Sequence, residues 1–144
     1  IGGEVVVKGV NEKGTPWHIS IDMPVENNQA TVHESALVIA LNGKAVATSG
    51  NYRKYKEVNG KKVSHIVNPL TGKSEESTLL SATIVAPDCM TADAWATACM
   101  AMGTERTQAL FEKRTDLGVM TISTDTEGNF IVWSNAPFAA LLPK

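Results

Sequence analysis

The stretch PDCMTADAWATACMAMG, residues 87–103, constrains the architecture of this chain more than any other segment. Asp88 or Thr91 can accept a hydrogen bond from the free amides of a first helical turn, and Gly103 is a natural stop. The spacing therefore predicts a helix from about Thr91 to Met102. Ala92, Trp95, Ala96, Cys99 and Met102 form one apolar stripe, while Ala94, Ala98 and Ala101 leave the opposite face small and uncharged. A helix of this kind is expected to be buried on most sides, so the remainder of the chain has to cover it.

That remainder is rich in strand signals. VVVKG leads through NEKG to WHISIDMP, where Trp17, Ile19, Ile21 and Met23 alternate with polar neighbours in the period of a half-buried strand. In SALVIALNGKAVATSG and YKEVNGKKVSHIV an Asn-Gly pair sits between strand-like runs, and Asn-Gly supplies the positive φ angles of a tight hairpin turn. Two hairpins are expected there. NPLTGKSEEST reads as a loop and LLSATIVAP as a return to strand. Beyond Gly103 a second, more amphipathic helix is expected from Thr104 to about Arg114, with Thr104 as its cap. LGVMTIST and NFIVWSN, joined by DTEG, close the chain as two strands. The expected fold class is α+β, a mostly antiparallel sheet with hairpins packed against two helices. No repeat or internal boundary divides residues 1–144, which read as a single domain.

Composition removes several functional classes. Fifteen acids against thirteen bases, with the lysines scattered, leave no electrostatic footprint for nucleic acid. No apolar run approaches the roughly 20 residues that span a bilayer, and no basic-then-apolar leader opens the chain. The start at Ile1, on IGGEV, reads as a turn entering a strand, and the expectation is a piece of a longer protein. Cys89 and Cys99 straddle the start and middle of the helix and are not expected to form a disulfide.

Asp93, the only charge inside the helical segment, lies four residues before Thr97, so both side chains point to one side of the helix. Two readings are open. Asp93 can complement the helix dipole from the first turn while Thr97 bonds back to a carbonyl. Alternatively, the all-oxygen pair can serve a hard cation such as Mg²⁺ or Ca²⁺ rather than zinc. The first is the ordinary account, since Asp is common at helix starts; a charge on a helix that reads as buried weakens it, because such a charge needs a partner or a metal. His65, in SHIVNPLTG, ends a strand and enters a Pro/Gly loop, where either a structural or a catalytic role fits. His18 and His33 have no acid or cysteine at ligand spacing and read as surface or hydrogen-bonded histidines. In TSGNYRKY, Arg53 could hold a phosphate through its planar fork, with donors from Ser49 and the Gly50 amide, or the segment could be a solvated turn.

The ordered set GGE, GTPWHISI, ATSGNYRKY, GKKVSHIVNPLTG and TIVAPDCMTADAWATA resembles the ApbE family, the FAD:protein FMN transferases once labelled thiamine biosynthesis lipoproteins. The SGxYR, HIxxPxTG and TADAxxTA patterns are specific in combination. The resemblance implies a T-fold-related domain that corresponds to the carboxyl-terminal portion of a full-length member. The implied reaction cleaves the pyrophosphate of FAD, attaches FMN to a threonine hydroxyl of an acceptor flavoprotein, and releases AMP with the help of Mg²⁺. Asp93 and Thr97 then occupy metal-ligand positions. His65 matches a histidine near the pyrophosphate, placed to orient phosphate or to assist deprotonation of the acceptor threonine, and proximity is the preferred role. Val67 falls where main chain contacts FAD, and Ser49, Gly50 and Arg53 match the SGxYR element of the flavin site. Two departures stand out: Ala96, where some members carry a second carboxylate, and Asn68, where HIxDP is common. The alternatives are an FAD-binding periplasmic protein without transfer activity and an FAD pyrophosphatase yielding FMN and AMP. Periplasmic or cell-envelope location, with membrane attachment only through a lipid anchor in the missing amino-terminal part, is a further expectation of the resemblance.

Overall fold

A computed structural model describes residues 3–22, 35–51, 55–58, 61–64, 67, 69, 71, 72 and 78–143. Its centre is a five-stranded antiparallel sheet in the order β1–β4–β7–β8–β9, built from Val5–Val7, Lys44–Gly50, Leu79–Ala86, Gly118–Thr124 and Phe130–Ser134. β2 (Trp17–Asp22) and β3 (Ser35–Leu41) pair as a separate antiparallel ribbon, as do β5 (Tyr55–Val58) and β6 (Lys61–Ser64). Between β7 and β8 the chain forms α1 (Cys89–Met102) and α2 (Thr104–Phe111), and α3 (Ala136–Ala139) follows β9.

Three layers follow from the alternation of side chains along the strands. Ala47, Ala82, Ile84, Ala86 and Val119 face the helices, where they form one apolar cluster with Ala92, Ala96, Cys99, Met100 and Phe111. Val46, Val85, Met120 and Ile122 face the other way, against Ile21, Ile39 and Leu41 of the β2–β3 ribbon and Phe138 of α3. β7 is covered on both faces, which is why LLSATIVA reads as a nearly continuous apolar run rather than an alternating one. The helix side of the sheet is built largely from alanine, and α1 answers with alanine. Small residues on both partners let helix and sheet approach closely, and short side chains at the margin of that contact can then meet.

The α+β class, the antiparallel sheet, the β5–β6 hairpin and the closing pair β8–β9 match the sequence expectations. Asn59 and Gly60, the turn of the β5–β6 hairpin, lie outside the described residues, as does Met23. The hairpin expected across Asn42-Gly43 is not one. Gly43 does take a positive φ of 64°, but β3 pairs with β2 while β4 pairs with β1 and β7. The turn carries the chain from the ribbon to the sheet, because both flanking strands have better covered partners elsewhere. α1 starts two residues earlier than expected, since Asp88 holds the extended conformation of an N-cap and accepts hydrogen bonds from Thr91 N at 2.8 Å and Thr91 Oγ1 at 3.0 Å. Thr104 does not cap α2; Gly103, at φ 79°, occupies that position and the Thr104 hydroxyl pairs with Thr78 Oγ1 at 3.1 Å. α2 ends at Phe111, short of Arg114, and the short helix α3 was not anticipated. Cys89 and Cys99 are free thiols, as expected.

Candidate active site

α1 is buried on one face only, contrary to the reading of a helix covered on most sides. Ala92, Ala96, Cys99 and Met100 are buried, whereas Asp93, Ala94 and Thr97 are exposed. Alanine is short enough to leave one flank open without exposing much apolar surface, so the alanine content did not require cover all round. The open flank carries the oxygen pair.

Asp93 is the fifth residue of α1, and the first turn contains no acid. The helix-dipole account of Asp93 depended on a first-turn position, and the dipole's influence on a side chain fades within that turn. Asp88 already serves the free amides. Among the described residues the Asp93 carboxylate has no hydrogen-bond or ion-pair partner. Thr97, one turn on, does not need the carbonyl behind it as a partner, because its Oγ1 lies 3.2 Å from Ser49 Oγ on β4 and is hydrogen-bonded to it.

Ser49 shares the helix-facing side of β4 with Ala47, whose burial against α1 sets the spacing between strand and helix. Its backbone is held by the β4–β7 ladder, in which Ser49 is paired with Ala82 and Gly50 with Ser81. Just beyond, Asn51 donates its main-chain N–H to Leu80 O and its Nδ2 to Leu79 O, each at 3.1 Å. These bonds fasten the end of SGN to β7 before the chain reaches Arg53, which lies outside the described residues. The rotation of α1 is set by Trp95, whose ring meets Phe111 edge-on at 5.2 Å and lies under the Arg114 guanidinium at 5.0 Å. Arg114 is itself tied to Asp116 through Nε and Oδ1 at 2.9 Å, a bond that holds the Asp116 carboxyl below its ordinary pKa.

Thus Ser49 meets Thr97 at one margin of the helix–sheet contact, with Gly50 next to Ser49 on β4 and Asp93 one turn before Thr97 on α1. Val67 is exposed and stands apart from regular structure, while β6 ends at Ser64, directly before His65. His65, Asn68 and His33 lie outside the described residues, and His18 is exposed on β2 as a surface histidine. Ala96 is wholly buried in the cluster between α1 and the sheet. Reading the sequence missed the Ser49–Thr97 contact and the anchoring role of Asn51; an Asn placed directly after a strand end was the one local signal for the latter.

An all-oxygen set with one carboxylate suits Mg²⁺, which retains waters and takes further ligands from substrate phosphates instead of a closed protein cage. Among the described residues no group of three or more His, Cys, Asp or Glu is close enough to hold a metal. Cys99 offers no alternative ligand: it is fully buried in the cluster between α1 and the sheet, and burial pushes its thiol up to about 11.

The ApbE family model matches residues 1–121. The chain belongs to the ApbE family. Over 144 residues it is 39% identical to the FAD:protein FMN transferase of Vibrio cholerae serotype O1, covering 100% of this chain and 41% of that protein. It is 36% identical over 142 residues to the enzyme of the same name from Salmonella typhimurium, covering 99% and 39%. Among solved structures, the flavin transferase ApbE from Vibrio cholerae superposes with a TM-score of 0.77 at 37% identity, over 99% of this chain and 43% of that one. The ApbE protein of Thermotoga maritima superposes with a TM-score of 0.79 at 29% identity, over 99% and 43%. This ApbE chain spans about two fifths of the length of the curated relatives it matches.

Proposed function

We propose that this chain is the carboxyl-terminal part of an FAD:protein FMN transferase, moving FMN from FAD to a threonine hydroxyl of an acceptor flavoprotein. One observation carries the reading: Asp93, a carboxylate without a partner among the described residues, stands one helical turn from Thr97, and Thr97 is joined to Ser49 of the SGNYR element. Relatives named FAD:protein FMN transferase at 36–39% identity support the reaction class.

In this reading Asp93 and Thr97 are the residues that would hold Mg²⁺ on the open flank of α1. The ion supplies charge neutralisation for the pyrophosphate oxygens as negative charge grows on them. Ser49 and Gly50 bring the end of β4 against that flank, and Arg53 follows as an anion-binding side chain. The acceptor threonine oxygen forms a bond to the phosphorus on the FMN side, the bond from that phosphorus to the bridging oxygen breaks, and AMP departs. On the resemblance of SHIVNPLTG to the family's motif, His65 is proposed to act near the pyrophosphate, orienting phosphate or receiving the threonine proton. Val67 supplies main-chain contact to FAD. Envelope location through an upstream lipid anchor is proposed on the resemblance alone; among the described residues no helix is long and apolar enough to cross a membrane.

The test incubates the gene product containing this chain with FAD, Mg²⁺ and an acceptor domain bearing the target threonine, followed by intact mass. The acceptor is expected to gain FMN less one water, and chelation by EDTA is expected to prevent it. An unmodified acceptor beside intact bound FAD would identify a flavin-binding protein instead, and free FMN plus AMP a pyrophosphatase; either sinks the transfer reading. Fractionation of host membranes tests the location.

A further inference from the structure

We propose that Ser49 is a positioning residue, whose hydroxyl receives the Thr97 proton and so turns the Thr97 lone pairs toward the cation beside Asp93. The inference rests on the metal-site reading above and extends it to a residue outside the ligand set.

A threonine hydroxyl has one proton and two lone pairs, and only a lone pair can face a cation. The proton must then point elsewhere, to an acceptor fixed in place. Within a helix that acceptor is ordinarily a carbonyl one turn back, and such a bond swings the hydroxyl toward the helix axis. Here Ser49 Oγ lies 3.2 Å from Thr97 Oγ1 and comes from a different element. Both ends of this bond are rigid. Ser49 is locked in the β4–β7 ladder, with Asn51 fastened to Leu79 and Leu80 immediately after it. Thr97 stands next to Ala96 and two residues before Cys99, both with 0% exposure, so α1 cannot roll without breaking the core. Ser49 is half-buried and Thr97 exposed, which leaves the far side of the Thr97 oxygen open to a ligand. Partners of this kind, one bond removed from the metal, typically change affinity by about 10–100-fold when removed.

The experiment measures Mn²⁺ uptake by the gene product containing this chain, with and without inorganic pyrophosphate, from the electron paramagnetic resonance signal of the free ion. S49A is expected to weaken Mn²⁺ binding about 10-fold or more, with S49T, which keeps a hydroxyl, restoring it. T97V is expected to lose binding to a similar degree, and S49A/T97V to be no worse than T97V alone, because the two residues act through one oxygen. Thermal melts show whether each variant is folded; if S49A melts early, S49C carries the same test, since a thiol is a weak acceptor of similar size. Wild-type affinity in S49A, or additive losses in the double variant, overturns the role of Ser49 while leaving the site intact. No Mn²⁺ uptake by the wild type, or unchanged uptake in both D93A and T97V, removes the site reading and this inference with it.

Discussion

Asp88 and Asp93 lie five residues apart on one short segment, and the structure assigns them opposite duties that a pair of alanine substitutions can separate. Asp88 bonds both the main chain and the hydroxyl of Thr91, at 2.8 and 3.0 Å. Replacing an N-cap aspartate by alanine costs about 1 kcal/mol, within a range of roughly 0.5–2. For a chain of this size that corresponds to a fall in Tm of about 3–5 °C. Asp93 is exposed, past the first turn and without a partner among the described residues. Alanine is the better helix former by up to about 0.7 kcal/mol, so D93A is expected to be neutral or slightly stabilising. Thermal melts followed by circular dichroism, with EDTA present so that no bound ion contributes, give the stability arm. Mn²⁺ binding gives the other: D88A is expected to bind like the wild type, and D93A to lose the ion. If D93A were destabilised as much as D88A and still bound Mn²⁺ normally, Asp93 would be a structural charge and the metal site would have to be elsewhere.

Three further outcomes follow from the packing. Thr121 is wholly buried and its hydroxyl has no hydrogen-bond partner among the described residues, so T121V removes an unsatisfied polar atom at constant shape and should stabilise by about 1 kcal/mol, measured by urea denaturation. A loss of stability would reveal a partner for that hydroxyl. Asn135, 3% exposed, accepts from Val119 N and Phe138 N and donates to Phe111 O and Leu117 O, so it ties the end of α2, the start of β8 and α3 together. N135A strands several buried main-chain groups at about 1–3 kcal/mol each and should cost at least about 3 kcal/mol; a change below 1 would contradict this network. Asp116 has a lowered pKa, caused first by the hydrogen bond from Arg114. Its contribution to stability is therefore present above the ordinary carboxylate pKa and lost as pH falls through the lowered folded value. In R114A, the Asp116 carboxyl should titrate at higher pH by ¹³C NMR, and no movement would mean that the pair is not formed in solution.

Local chemistry was legible in the sequence wherever neighbours along the chain decide it. Asp88 as a cap candidate, Gly103 as a stop, the pairing of β5 with β6 and the apolar run of β7 each depend on a few adjacent residues. The Asn42-Gly43 turn shows the limit: the pair correctly marked a reversal with positive φ, but which strands bond across it depends on partners tens of residues away. The extent of helix cover failed for the same reason, since composition reports how small a face is and not whether anything lies against it. The oxygen pair Asp93 and Thr97 was visible as a four-residue spacing, and its first justification, a charge buried on an apolar helix, does not hold.

What the sequence determined by itself is therefore the set of elements, the α+β class, and a spacing that puts a carboxylate and a hydroxyl on one side of a helix, because each follows from backbone periodicity and nearest neighbours. Only the tertiary structure decided that this side is open, that Ala96 is buried, and that Ser49 reaches Thr97 across the helix–sheet contact. Those three facts share one cause. Alanines from β4, β7 and α1 bring the helix close to the sheet, and a contact between residues 48 positions apart depends on that distance rather than on any local pattern.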